Sequence, residues 1–296
     1  MRRRLLMVIS ALVCMLTVAI HGQQQFQLFA NVVDSSGKPV TTLQPDDIQV
    51  MENGVEAKVL KVEPSNWPIK LQILVDNGTG LGANNLVTLR NGLRGLIESM
   101  PEGVELTLVT TSPQPRFVLR PSTDRKAQLD AVDKIAPDSN VGRFVESLVE
   151  ATQRIEKDKT DFFPVIVSLG TTYGDNRVLD RDINDLMTRL EKRPTTVHVV
   201  MVSGGPASSA GGAVQTEVGM NVTKFTRGRY ENIAAPSRIA TLLPEIGAHV
   251  AKTHERQRAQ FRITAARTSG TSKQSSQLSM SAKNGLQVSG LSADGR

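Results

Sequence analysis

Apolar and polar residues alternate in two different rhythms along this chain. Between Gln25 and Val62 the period is two, which predicts strands. Gln25–Val33 forms one run, and Asp34-Ser35-Ser36-Gly37-Lys38-Pro39 is a dense turn signal that ends it. Asp47–Met51 and Val55–Val62 predict a hairpin about Glu52-Asn53-Gly54, because Asn and Gly both tolerate positive φ. Pro64 and Pro68 mark the exit from this small β unit.

From Ile69 the rhythm changes. Short apolar runs now alternate with apolar residues spaced three or four apart, the signature of strands separated by amphipathic helices. Strands are predicted over Lys70–Val75, Val104–Thr110, Phe117–Leu119, Pro164–Leu169 and Thr196–Val202. Helical stripes are carried by Leu86 to Met100, by Leu129 to Ile135, by Phe144 to Ile155 and by Ile183 to Leu190. Two more use Val218, Val222 and Phe225, then Ile239 to Val250, the last opening at Pro236. Gly204–Gly212 is predicted as a loop from its Gly, Ser and Ala content. Such an order implies right-handed crossovers and a doubly wound, mostly parallel sheet flanked by helices.

After that unit, Ala259–Ala265 reads as a strand, and two weaker strands centre on Leu278 and Leu286 beyond a Ser/Thr-rich segment. These late strands need a partner to bury their apolar side chains, and the leading β unit is small to stand alone. The expected organisation is therefore a leader at 1–22, a β module at 23–66, an α/β domain at 67–255 and C-terminal strands at 256–296 that pack with the leading module.

Composition sharpens the picture at the N-terminus. Arg2, Arg3 and Arg4 precede an apolar region from Leu5 to Ile20, sixteen residues long, against the roughly 20 that a spanning helix needs. That predicts a secretory signal peptide cleaved near Ala19 or Gly22, and an exported chain, periplasmic or secreted, without a stable membrane span. The single cysteine, Cys14, lies in the leader and is a poor match to a lipoprotein site. The mature chain then has no disulfide and no thiolate metal ligand. Of the net charge of +6, three arginines belong to the leader, and the remaining excess gathers after Lys252. Only Phe261 is there to stack on a base, so this is expected to be a solvated strand face and not a nucleic-acid surface.

Chemistry is most readily placed at Asp76, where a buried-strand run ends in a carboxylate followed by Asn77-Gly78-Thr79-Gly80. In open α/β sheets, ligands bind beyond the carboxyl ends of the strands. Three readings compete. Gly78-Thr79-Gly80-Leu81-Gly82-Ala83 fits the dinucleotide fingerprint, but the next strand ends in Val109-Thr110-Thr111-Ser112 without the acidic residue that holds a ribose. A metal site is the second reading. The third is structural: Asp76 accepts N–H groups from the following turn and caps the next helix.

The metal reading comes from a resemblance. Val33-Asp34-Ser35-Ser36-Gly37-Lys38-Pro39-Val40, Leu43 and Asp46-Asp47-Ile48-Gln49-Val50-Met51-Glu52-Asn53-Gly54, followed by the strand ending in Asp76, resemble the von Willebrand factor type A domain family. The likeness is to its exported bacterial subgroup and spans Phe26 to Ile263. It implies a protein-recognition module, often with a Mg²⁺ ion held by D-x-S-x-S, a distant threonine and a late aspartate. Asp76 matches the first position, but Gly78 and Gly80 stand at the serines, Gly142 at the threonine and Leu169 at the aspartate. No metal or other cofactor is therefore expected; the alternative is a Mg²⁺-dependent adhesion domain with out-of-register ligands, Asp76, Thr79 and Asp175. A protein partner would meet the rim of Asn77, Thr79, Asn140, Arg143, Thr171, Thr172 and Tyr173. His198 lies in an apolar strand, His249 and His254 lie among charges at the last helix, and no G-x-S-x-G elbow is present. No catalytic residue is assigned, and the expected function is non-enzymatic binding.

Overall fold

The structure is a computed structural model that describes residues 24–174, 178–203, 210–267 and 277–295. The expected leader, Asp175 and most of the Gly204–Gly212 segment lie outside these residues. In chain order the elements are β1 (Gln25–Val33), β2 (Ile48–Glu52), β3 (Val55–Ala57), β4 (Val59–Pro64), β5 (Ile69–Val75), α1 (Leu86–Glu98), β6 (Glu105–Thr110), β7 (Arg116–Ser122) and α2 (Arg125–Asp133). They continue with α3 (Phe144–Lys157), β8 (Phe163–Thr171), α4 (Asp180–Lys192), β9 (Thr196–Val202), α5 (Ala210–Thr226), β10 (Tyr230–Ile233), α6 (Ile239–Arg258), β11 (Phe261–Ala266), β12 (Leu278–Ala282) and β13 (Gln287–Ser292). The chain forms two compact units, one from residues up to Pro64 together with Gln260–Gly295, the other from Ser65–Ala259.

The first unit is a pair of antiparallel sheets, ordered β13-β1-β11-β4 and β12-β2-β3. Strands from before and after the α/β unit thus pair directly, β1 with β11 and β13, β2 with β12. Their inward side chains, Phe26, Leu28, Val32, Val50, Phe261 and Ile263 among them, make one buried core. Asn53 (φ 52) and Gly54 (φ 79) form the tight turn of the β2–β3 hairpin. Glu52 is wholly buried and pairs with Arg267, and Glu63 pairs with Arg262. Part of the C-terminal basic excess is therefore internally neutralised.

The second unit is a six-stranded sheet ordered β10-β9-β8-β5-β6-β7, parallel except for the edge strand β7. It is a mixed α/β fold with helices on both faces. Alternate residues of each strand serve opposite faces: Ile69, Leu71, Ile73 and Val75 of β5 join a core with α1, α2 and α6. Leu74 of β5, Ile166 of β8 and Val199 of β9 join a second core with α3, α4 and α5. Order reverses between β5 and β8, whose parallel pairing runs from Ile69↔Phe163 to Val75↔Leu169. That reversal opens a switch point at the carboxyl ends of these two strands.

Local signals explain several boundaries. Asp124 caps α2 through its carboxylate, which accepts the N–H groups of Lys126 and Ala127. Pro236 opens a short 3-10 turn and α6 proper begins at Ile239, with Pro244 inside it. That helix runs to Arg258, past the expected domain edge at 255, and Arg258 bonds Asn66. Two expectations are corrected. Ala210–Gly212 belongs to the first turn of α5, not to a loop; a Cβ on Gly212 would collide with the Thr172 carbonyl, so glycine here permits close packing. Phe225, read as inward, is 41 % exposed.

Candidate functional site at the strand ends

Asp76 follows β5 directly and is buried, with 2 % of its surface exposed. Its Oδ1 accepts the Gly78 N–H at 2.8 Å, and its Oδ2 lies 2.9 Å from Thr171 Oγ1 at the end of β8. Thr171 Oγ1 also lies 2.8 Å from the Tyr173 carbonyl. One hydroxyl proton cannot serve both acceptors. The Thr171 hydroxyl therefore donates to one of the two oxygens at a time, the Asp76 carboxyl or the Tyr173 carbonyl. Burial pushes the Asp76 carboxyl above the usual carboxylate range, with the Gly78 and Thr171 hydrogen bonds opposing it less strongly.

The space around this carboxyl is filled. A Cβ on Gly142 would sit 2.6 Å from the Asp76 carboxyl carbon and both its oxygens. On Gly78 it would strike the Asn140 carbonyl, and on Gly80 the Thr171 hydroxyl. At these three glycines, which the resemblance aligns with hydroxyl residues, a side chain would force its neighbours to shift. The loops they belong to are tied across the top. Thr79 N–H donates to the Asn140 carbonyl at 2.9 Å, and Gly142 and Gly174 form a parallel bridge. Two of the turn amides that a phosphate would use, those of Gly78 and Thr79, are already engaged by Asp76 and Asn140. Asp76 does not cap α1, which starts after a 3-10 turn with Asn85 in the cap position; only the turn half of the structural reading holds.

The expected rim divides. Thr79 and Asn140 are exposed, and Arg143, Thr172 and Tyr173 are half-buried. Arg143 is committed to the Pro113 carbonyl at 2.7 Å and to Glu146. Asn77 and Thr171 do not face solvent: Asn77 is 8 % exposed and ties Ala136 O and Ser112 N, and Thr171 is 1 % exposed against Asp76. Asp175 lies outside the described residues.

Two participants were not legible beforehand. Asp138 accepts from the Asn140 backbone and side chain and from Ser112 Oγ, and the Asn140 side-chain bond leads the effects that lower its pKa. Gln215 of α5, wholly buried, donates to the Thr171 carbonyl at 2.6 Å and accepts the Phe144 N–H. A lone glutamine in an apolar helix was its only trace.

Two of the histidines, His198 and His254, are buried. His198 is 1 % exposed, accepts the Arg229 N–H at 3.1 Å and is pushed by burial down to about 4. His254, placed among charges by its sequence neighbours, is instead buried against Phe163 and donates to the Trp67 carbonyl. Among the described residues no cluster of three or more His, Cys, Asp or Glu is arranged to hold a metal, and no helix is long and apolar enough to cross a membrane.

The switch-point carboxyl on a sheet of this order invites comparison with known folds. The chain matches a von Willebrand factor type A protein from Catenulispora acidiphila with a TM-score of 0.53 and 10 % identity, over 86 % of this chain and 75 % of that one. The α/β unit has the von Willebrand factor type A fold. The pilus adhesin SpaC from Lactobacillus rhamnosus GG matches with a TM-score of 0.50 and 10 % identity, over 72 % of this chain and 36 % of that one. BatB from Bacteroides thetaiotaomicron gives 0.49 and 12 % identity, over 62 % of this chain and 99 % of that one. No protein-family model and no curated protein matches the sequence. Within the type A fold, Asp76 occupies the end of the central strand, and its surroundings are carbonyls, hydroxyls and glycines packed in contact.

Proposed function

We propose that this is an exported, non-enzymatic protein-binding module that recognises its partner at the sheet's carboxyl-end rim without a divalent ion. The observation that carries the reading is the packing of Gly78, Gly80 and Gly142 against Asp76. Hard cations need several oxygen ligands around an open position; these positions supply no side-chain oxygen and have no room for one. The Asp76 carboxyl is buried, and burial disfavours its charged form. The residues therefore do not fit the ion. Export rests on the basic-then-apolar order of Arg2–Ile20 and the absence of cysteine after Cys14. The accessible contact group narrows to Thr79, Asn140, Thr172 and Tyr173.

One observation favours the metal-dependent alternative. Among the described residues, Thr111, whose N–H donates to the Val75 carbonyl, has a buried Oγ1 without a hydrogen-bond partner. Affinity capture with the full chain, in EDTA and in Mg²⁺, decides between the two. The same partner recovered in both conditions, and lost on Thr79→Arg, supports the proposal. Recovery only with Mg²⁺, abolished by Asp76→Ala, overturns it in favour of the alternative.

A further inference from the structure

Helix α5 is unlike its neighbours. It carries two charges in seventeen residues, Glu217 and Lys224, whereas the thirteen-residue α4 carries seven. A helix apolar on most of its circumference is ordinarily covered on all sides. Here the inner side is covered, with Val218 and Val222 in the core. The outer side leaves Val214 37 %, Met220 46 % and Phe225 41 % exposed. Between α4 and α5 lies a groove of about 750 Å³ floored by Ile183, Met187, Val214, Val218 and Phe225. Asp180, Glu217 and Lys224 stand on its rim, and among the described residues none of the three has an ion-pair partner.

The charges have an order. Strands β8, β9 and β10 are parallel, so the helices between them both run back against the strands and lie parallel to each other. The acidic pair therefore sits toward the N-terminal end of the groove and Lys224 toward the other. Glu217 and Lys224 are seven residues apart on one face, about 10 Å along the axis. We propose that this surface binds a second copy of the chain, the two α5 helices crossing antiparallel about a two-fold axis at Met220 and Asn221. That operator sets Glu217 of each copy beside Lys224 of the other and covers both exposed Met220 side chains. It also brings Phe225 over the Ala213–Glu217 turn of the second copy. A parallel arrangement would instead oppose like charges. An isologous patch must be self-complementary, and opposite unpaired charges flanking an apolar centre meet that condition.

Sedimentation velocity of the full chain over a concentration series tests this. Wild type is expected to dimerise reversibly. Glu217→Lys places lysine opposite lysine twice and should raise the dimer dissociation constant about tenfold. Glu217→Lys with Lys224→Glu should restore it to within about threefold. Phe225→Glu should leave a monomer with an unchanged unfolding curve. A monomer at every concentration, a dimer indifferent to Phe225→Glu, or a double reversal that fails to rescue would each overturn the proposal.

Discussion

Around Asp76 most polar groups find one another, Thr111 Oγ1 excepted, and the space beside the carboxyl is filled; along the outer side of α5 apolar side chains meet solvent and, among the described residues, Glu217 and Lys224 have no ion-pair partner. Topology points to the first region, because strand order reverses there. Surface chemistry points to the second. The strand ends are packed tight by glycines, while a surface elsewhere on the same unit stays apolar and exposed. Gly78, Gly80 and Gly142 pack against Asp76, Thr171 and the Asn140 carbonyl too closely to admit a side chain without movement.

Perturbing the two regions should give opposite outcomes. The largest effect is expected from Gly142→Thr, which drives a branched side chain into the Asp76 carboxyl. It should cost about 3 kcal/mol or more in urea unfolding, with or without Mg²⁺. A metal-binding crevice would instead accept that threonine. Asp76→Ala comes next, at about 2 kcal/mol, because it strands the Gly78 N–H.

Asp76→Asn should be far milder and should change the pH response. The folded carboxyl has a raised pKa, so its contribution is fully present below its unfolded value near 3.8. It declines as pH rises through the folded value. Wild-type stability relative to Asp76→Asn should therefore fall from pH 3 toward neutrality, and a flat difference would argue against a raised carboxyl pKa. On α5, Met220→Asp should alter monomer stability by less than about 0.5 kcal/mol. Smallest of all is the response to Mg²⁺. A bound ion at a hundredfold excess over its Kd would add about 2.7 kcal/mol, and no shift in unfolding midpoint is expected.

Much of the architecture could be read from the residues because burial imposes simple periods. β5, β8 and β9 are apolar on both faces and show as continuous runs, and Asn53-Gly54 announces its turn chemically. What escaped had longer-range causes. Gly211-Gly212 looked like loop because composition says nothing about the Thr172 carbonyl that requires a missing side chain. Asn77 and Thr171 looked like rim because polar residues after strands are usually wet; here they bond inward to groups distant in sequence. Pro244 lies within the helix predicted over Ile239 to Val250 and faces Gly95 of α1 across a helix contact.

In the β unit, β4 and β11 are antiparallel neighbours, with Pro64 opposite Phe261. The polypeptide leaves that sheet and re-enters it at adjacent points, 195 residues later by Ser65–Ala259. During synthesis β1 to β4 therefore emerge well before the strands that complete their sheets. At about 5–20 residues per second, they wait on the order of ten seconds or more with their inward side chains unshielded. Synthesis of β11 to β13, not the first appearance of β1 to β4, sets when that unit can close.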